Sequence, residues 1–199
     1  MMYALLGDIH SSVKDLTSVL QHIYEVNPSV EIICTGDLFE CTIGKKRAMK
    51  EVFSHIEDVI SDPSDLLPLI NFQSVYGNQE ERIISICLEK HPAIHYMKTL
   101  PRQISIAGAV VTHGHEWEWS GEPWTPVLPI TKHETIFFGH SHQSALFLNG
   151  ERKPFRFDEQ VHIPLATHIG VNVGSVIDNR EWVLYDPKAQ TIEFKKTAM

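Results

Sequence analysis

The chain has 199 residues, of which 43% are hydrophobic and 21% charged, with a formal charge of −8. Such a length and composition predict one globular domain over 1–199, able to bury about 70% of its unfolded surface, and exclude a disordered or repeat protein. The acidic balance argues against a stable nucleic-acid complex, which needs a basic face, and no apolar run is long enough to span a bilayer.

The opening run Met1-Met2-Tyr3-Ala4-Leu5-Leu6 has no basic residue before it and stops at Gly7-Asp8. It predicts a buried strand rather than a signal peptide. Ser11 and Ser12 are candidate caps for a following helix, with Asp15 in its first turn and Leu16, Val19, Leu20 and Ile23 as its apolar stripe. A second strand is predicted over 30–35, a second helix over 45–60, and a third strand over 70–76 after the polar loop 61–68. A third helix is expected over 80–90. From residue 93 short apolar runs follow one another with little helix between them, at 104–106, 109–112, 135–138, 144–148, 161–165, 168–173, 182–185 and 191–194. The first half predicts a largely parallel sheet covered by helices, and the second half a mostly antiparallel or mixed sheet packed against it. Cys34, Cys41 and Cys87 are an odd count in no recognisable framework, which predicts free thiols and a reducing, cytoplasmic setting. Cys34 is expected in the core and Cys41 near the site.

Five polar signatures end apolar runs: Gly7-Asp8-Ile9-His10, Gly36-Asp37, Gly77-Asn78, His113-Gly114-His115 and Gly139-His140-Ser141-His142. They supply Asp8, His10, Asp37, Asn78, His113, His140 and His142, all oxygen or imidazole donors. Two neighbouring divalent cations with octahedral leanings, such as manganese, iron or magnesium, want that mixture, whereas a structural zinc site would use cysteine. Each signature sits where a strand should stop, and loops beyond strand C-termini converge on a shared crevice. Glycine before a ligand is expected to permit the sharp turn that aims the side chain inward.

With these signatures the chain resembles the calcineurin-like metallophosphoesterases, in particular their small single-domain phosphodiesterase branch in bacteria and archaea. The resemblance runs from residue 1 to about 195. It includes Ser11-Ser12 opening a helix after the first signature, and Asn172-Val173-Gly174-Ser175-Val176 in place of a closing Asn-Pro-Gly-Ser segment. It implies an α/β fold class, a four-layer α/β/β/α sandwich of two mixed sheets with flanking helices. It also implies two divalent metal ions, manganese first, with iron, magnesium, nickel or zinc as alternatives. Asp8, His10 and His142 complete one metal site with Asp37, and Asn78, His113 and His140 complete the other with it. Asp37, as the shared carboxylate, and Asn78 then count as catalytic. The implied reaction is in-line attack on a small phosphodiester by a hydroxide bridging the metals.

The sequence departs from that pattern in four places. The third signature of most relatives continues with a histidine that serves the leaving group; here Gln79 stands there, followed by Glu80. Glutamine donates a hydrogen bond but releases no proton, so Gln79 is read as a substrate contact and His115 as a candidate substitute acid. The second signature, Gly36-Asp37-Leu38-Phe39-Glu40, lacks the arginine that clamps phosphate in protein phosphatases, which favours diesters over monoesters. The acidic stretch from Glu116 to Pro126 holds Trp117, Trp119 and Trp124. Its rings serve either as a lid, with Trp117 offered to a flat substrate group, or as anchors to the core or to a second copy of the chain. Glu116, Glu118 and Glu122 there would repel a polyanion. Segment 150–164, with Arg152, Lys153 and Arg156, reads as a solvated hairpin tip or a phosphate contact. A small-phosphodiester hydrolase is the first functional reading; a catalytically quiet scaffold of the same fold, acting through protein partners, is the second.

Overall fold

The computed structural model describes residues 1–61, 63–121, 124–129, 135–163 and 167–198. Its first half runs β1 (Tyr3–Leu6), α1 (Val13–Val26), β2 (Glu31–Cys34), α2 (Lys45–Ala48), α3 (Pro63–Leu66), β3 (Gln73–Ser74), α4 (Asn78–Ile86) and α5 (Pro92–Thr99). Strands follow: β4 (Gln103–Ile106), β5 (Ala109–Thr112), β6 (Trp119–Ser120), β7 (Thr125–Pro126), β8 (Thr135–Phe138) and β9 (Ala145–Leu148). The chain then forms β10 (Glu151–Lys153), β11 (Gln160–His162), β12 (Ile169–Asn172), β13 (Glu181–Asp186) and β14 (Thr191–Lys196).

Two six-stranded mixed sheets result, ordered β11-β14-β13-β1-β2-β3 and β10-β9-β12-β8-β5-β4. Within the first, β1, β2 and β3 are parallel; within the second, β5, β8 and β12 are. The remaining pairings are antiparallel. Side chains alternate across a strand, so β1, apolar at every position, serves two cores. Tyr3 and Leu5 point between the sheets, meeting Val111, Phe137, Leu146 and Val171 of the second; Ala4 and Leu6 face the helices. α1 buries Leu16, Val19 and Ile23 against that outer face, and α4 and α5 add Ile83, Ile86, Ile94 and Met97. On the far side of the second sheet Ile136, Phe138, Ala145 and Phe147 pack against Trp117, Trp119 and Leu128. Among the described residues, then, the outer layer there is the tryptophan segment with its short β6–β7 hairpin.

Three sequence expectations change. The helix predicted over 45–60 stops at Ala48. Ala48, Val52, Ile56 and Ile60 recur every fourth residue, but Phe53 N–H instead donates to Ile86 O at 2.7 Å and Phe53 O accepts from Leu88 N at 2.9 Å. These bonds form an isolated parallel bridge between Phe53 and Cys87 at the end of α4, so tertiary pairing overrides local pattern. A helix absent from the prediction, α5, opens with Pro92 at its first position, and the His91 ring accepts from Ala93 N at 3.2 Å. Segment 150–164 is a hairpin only at its start, where Asn149-Gly150 turns β9 into β10; the chain then crosses from β10 at the edge of one sheet to β11 at the edge of the other, and residue 164 lies outside the described residues. Phe155 stacks on Phe194 on the way, at 3.8 Å between centroids, while Arg156 pairs with Glu159 in solvent. Glu122, Pro123 and the end of the 161–165 run lie outside the described residues. All three cysteines are free and buried.

α1 is anchored by a charge pair. Asp15 receives Arg180 Nε at 2.7 Å, Ser12 Oγ at 2.7 Å and Asp178 N at 3.3 Å. Burial alone would raise the Asp15 carboxyl, but these donors outweigh it and hold it below the ordinary range. A carboxylate depressed on folding adds stability above its unfolded value near 4 and loses it as pH falls through the folded one. Asp15→Asn should therefore cost about 1–3 kcal/mol at pH 7, with the gap to wild type closing between about pH 5 and 2 in urea denaturation.

Candidate metal centre

Every strand that runs parallel to a neighbour ends at one crevice. Beyond β1 come Asp8 and His10, beyond β2 Asp37, beyond β3 Asn78, beyond β5 His113 and His115, beyond β8 His140 and His142, and at the end of β12 Asn172. Hydrogen bonds lace these loops together. Asp8 N donates to Gly36 O, Ile9 N and His10 N both donate to Asp37 O, and Ser11 N donates to Leu38 O. Asn172 donates to Gly139 O and Ser141 Oγ, both at 2.9 Å, and Val176 N and Ile177 N close on Gly7 O and Asp8 O.

Glu80, wholly buried, ties the second signature to the third. Its carboxylate accepts from Asp37 N at 3.1 Å, Gly77 N at 2.9 Å and Phe39 N at 3.1 Å. Burial and then the Asp37 charge push it up to about 7. Left-handed backbone falls on the donors themselves: φ is +50° at Asp8, +48° at His10, +52° at Asp37, +73° at His140 and +58° at His142. Such conformations cost of order 1–3 kcal/mol each and persist where surroundings fix them. The glycines mostly serve another purpose than the turn expected of them. Only Gly36 of the four has positive φ; a Cβ on Gly77 would lie 2.2 Å from Asp37 Oδ1, and one on Gly139 2.4 Å from Asp8 Oδ2. They let carboxylates approach backbone.

Two donor groups result, each with ligand atoms within 4.8 Å of one another: Asp8, His10 and His142, and Asp37, His113 and His140. Asp37 lies between them, with Oδ2 3.7 Å from His10 Nε2 and 3.2 Å from His113 Nε2. Asn78 Oδ1 stands 3.2 Å from His113 Nε2, and Asp8 Oδ1 3.5 Å from His142 Nε2. Outer partners orient the rings: His113 Nδ1 is 2.8 Å from Thr35 O and His10 Nδ1 contacts the Glu40 carboxylate. Each contact draws a proton to Nδ1 and turns Nε2 toward the group. His10 Nε2 is buried with no hydrogen-bond partner. A buried orphan nitrogen between two carboxylates, in an oxygen-and-imidazole set without thiolate, fits a divalent cation. Burial disfavours charge on His10 and His113. The carboxylates beside them outweigh that, lifting His10, through Asp8 and Glu40, to about 10 and His113, chiefly through Asp37, to about 9. Burial and then the His113 charge push His140 and His115 down, each to about 4.

A cavity of about 480 Å³ adjoins the second group, lined by Asn78, His140 and His115 with Lys45, Ala48, Met49, Glu81, Arg82 and Ser85. Lys45, Glu81 and Arg82 are neighbours of the centre that the signatures did not single out, though Glu81 and Arg82 follow Asn78 at i+3 and i+4 on one helix face. His115 lines this space, both its ring nitrogens buried without a hydrogen-bond partner and Nε2 3.7 Å from Glu81. The substrate roles read for Gln79 and Trp117 do not fit their positions. Gln79 is buried, its side-chain oxygen accepts from Cys41 N at 3.2 Å, and it does not line the cavity. Trp117 lies edge-on to Phe138 at 5.0 Å as part of the sheet cover. The rings beside the centre are Trp119 and Trp124, 5.4 and 6.3 Å from His140, and Trp124 is about half exposed.

Two mixed sheets, with side chains able to hold metal ions clustered beyond their parallel strands, define an α/β sandwich with a candidate metal centre. The profile of the calcineurin-like phosphoesterase superfamily domain matches residues 1–183. This chain belongs to that superfamily, whose members are metal-dependent phosphoesterases. Its fold is similar to a metallophosphoesterase from Sphaerobacter thermophilus, at 16% identity and TM-score 0.64, covering 100% of this chain and 89% of that one. It is also similar to a candidate diadenosine tetraphosphatase, at 14% identity and TM-score 0.54, covering 99% and 94%. At such identities the likeness is one of fold. No curated protein matches the sequence. No described helix is long and apolar enough to cross a membrane.

Because Glu80 satisfies three backbone donors at once, Glu80→Gln leaves at least one buried N–H against an amide NH₂. Its unfolding free energy in urea should fall by about 1–3 kcal/mol. An unchanged midpoint would show that the loops hold together without the carboxylate.

Proposed function

We propose that this protein is a dinuclear metal-dependent phosphodiesterase that hydrolyses a small phosphodiester. The observation that carries the reading is the position of Asp37, one carboxylate oxygen facing imidazoles of both donor groups. In this reading Asp8, His10 and His142 hold one divalent cation, Asn78, His113 and His140 the other, and Asp37 both. Manganese suits the mixture first, with iron, magnesium, nickel and zinc as alternatives. Bound there, such cations supply Lewis acidity and an ionised water at neutral pH.

The chain's own residues set the rest. Glu40 and Thr35 O fix two imidazoles, and Glu80 and the Gln79 N–H, at 2.9 Å from Asp37 Oδ1, hold the shared carboxylate in place. No arginine follows Asp37 to clamp a dianionic monoester, so a singly charged diester is favoured. His115 lines the cavity wall; burial and the His113 charge keep its ring neutral, so it is not the imidazolium acid expected from the sequence, and its part in this reading is to donate one N–H hydrogen bond to a departing alkoxide. The scaffold alternative draws on Gln79, whose side chain is spent on Cys41 and supplies no acid.

The deciding assay is hydrolysis of bis-p-nitrophenyl phosphate against p-nitrophenyl phosphate, with manganese and with chelator. Diester cleavage is expected to exceed monoester cleavage and to vanish on chelation, and Asp37→Asn should lower it at least 10²-fold. No turnover with any of the five metals supports the scaffold. For His115, replacement by alanine should lower kcat about 10²-fold with an alkyl leaving group and little with nitrophenolate, which needs no help to depart. Equal loss on both would remove His115 from that role.

A further inference from the structure

Beside the donor groups, the cavity is asymmetric in chemistry. One wall is the face of α4 bearing Asn78, Glu81 and Arg82; the opposite wall is formed by Lys45, Ala48 and Met49. Arg82 Nη1 lies 3.4 Å from Ile43 O, which steers the guanidinium toward the start of α2, where Lys45 stands. Two cations thus border a space that also touches Asn78 and His140, in a chain whose formal charge is −8. Among the described lining residues the one carboxylate, Glu81, stands 3.7 Å from His115 Nε2. Ala48 and the exposed Met49 leave an apolar strip between the cations and the solvent. A volume of about 480 Å³ is in the range that holds a small organic ligand rather than a lone ion.

We propose that Lys45 and Arg82 form a subsite for a second phosphoryl group, so that the substrate is a phosphodiester carrying a pendant phosphate on the part held in the cavity. This rests on the phosphodiesterase reading and deepens it. Two cations match the charge of a terminal phosphate dianion, the guanidinium gives it paired donors, and the apolar strip accepts the carbon framework joining it to the scissile ester. Against a net charge of −8 these two cations give the cavity a local positive field that would favour a doubly phosphorylated ligand there.

The test uses two esters with the same scissile bond and leaving group: thymidine 5′-(p-nitrophenyl phosphate) and its 3′-phosphorylated counterpart, with the manganese-loaded protein. The ratio of kcat/KM values should favour the phosphorylated ester by about tenfold, and Lys45→Met or Arg82→Gln should bring the ratio close to one. Comparing ratios removes any loss of folded or metal-loaded protein, which affects both esters alike. A wild-type ratio of one, or a ratio that both substitutions leave in place, overturns the subsite. If neither ester is cleaved with any metal, the hydrolase reading fails on its own. The subsite is then decided by calorimetric titration with thymidine 3′,5′-bisphosphate against thymidine 5′-monophosphate, where equal affinities refute it and tighter bisphosphate binding, lost in Arg82→Gln, upholds it.

Discussion

Burial of three carboxylates in one neighbourhood is the constraint around which this molecule is arranged. Asp8, Asp37 and Glu80 are almost wholly removed from solvent, and like charges so placed oppose folding unless each is given donors or counter-charge. Glu80 is met by backbone N–H groups, Asp8 by the His140 N–H and Asp37 by that of Gln79. The remaining demand falls on imidazoles, and His10 and His113 respond with raised affinity for protons. A divalent cation in place of those protons would neutralise the same carboxylates with little reorganisation, since the ring nitrogens already converge on Asp37.

Holding that arrangement requires backbone that most sequences avoid. Five donors sit in left-handed conformations, which aspartate and histidine tolerate better than branched residues do. Their strain is offset by lacing between loops rather than by long elements: β1, β2, β5, β8 and β12 have only four residues each and β3 two. Short strands bring loops close behind one another, and Gly77 and Gly139 remove the Cβ atoms that would keep carboxylates and backbone apart.

How far this was legible in the sequence follows from the same physics. Strands buried on both faces announce themselves as continuous apolar runs, so Tyr3–Leu6 and the strand near 135–138 were readable, and so was the crevice beyond their ends. The amphipathic stripe and serine cap of α1 were equally plain. Misreadings came where a distant partner decides. Nothing local tells residues 49–55 to abandon a helical pattern for the end of α4. The position of Gln79 in its motif points to the substrate, whereas a buried backbone N–H at Cys41 claims its oxygen. The cations at the cavity rim were invisible because Lys45 belongs to an ordinary basic run and gains meaning only when α2 meets α4 in space.

The tryptophan segment shows why cover and site are not separable here. Trp117 and Trp119 turn edges onto Phe138, on the outer face of the second sheet, and the Trp119 indole N–H donates to Gly114 O at 3.0 Å. Gly114 lies between His113 and His115, and the Trp119 ring also flanks His140. Rings that exclude water from a sheet are thus the ones that brace two donor loops from behind. A helix packed at that position would bury comparable apolar area, but its backbone donors would be spent internally and its side chains would reach the loops only at one end. An irregular aromatic segment covers the sheet and presses on the loops together, which ties the position of His140 to the packing of Phe138.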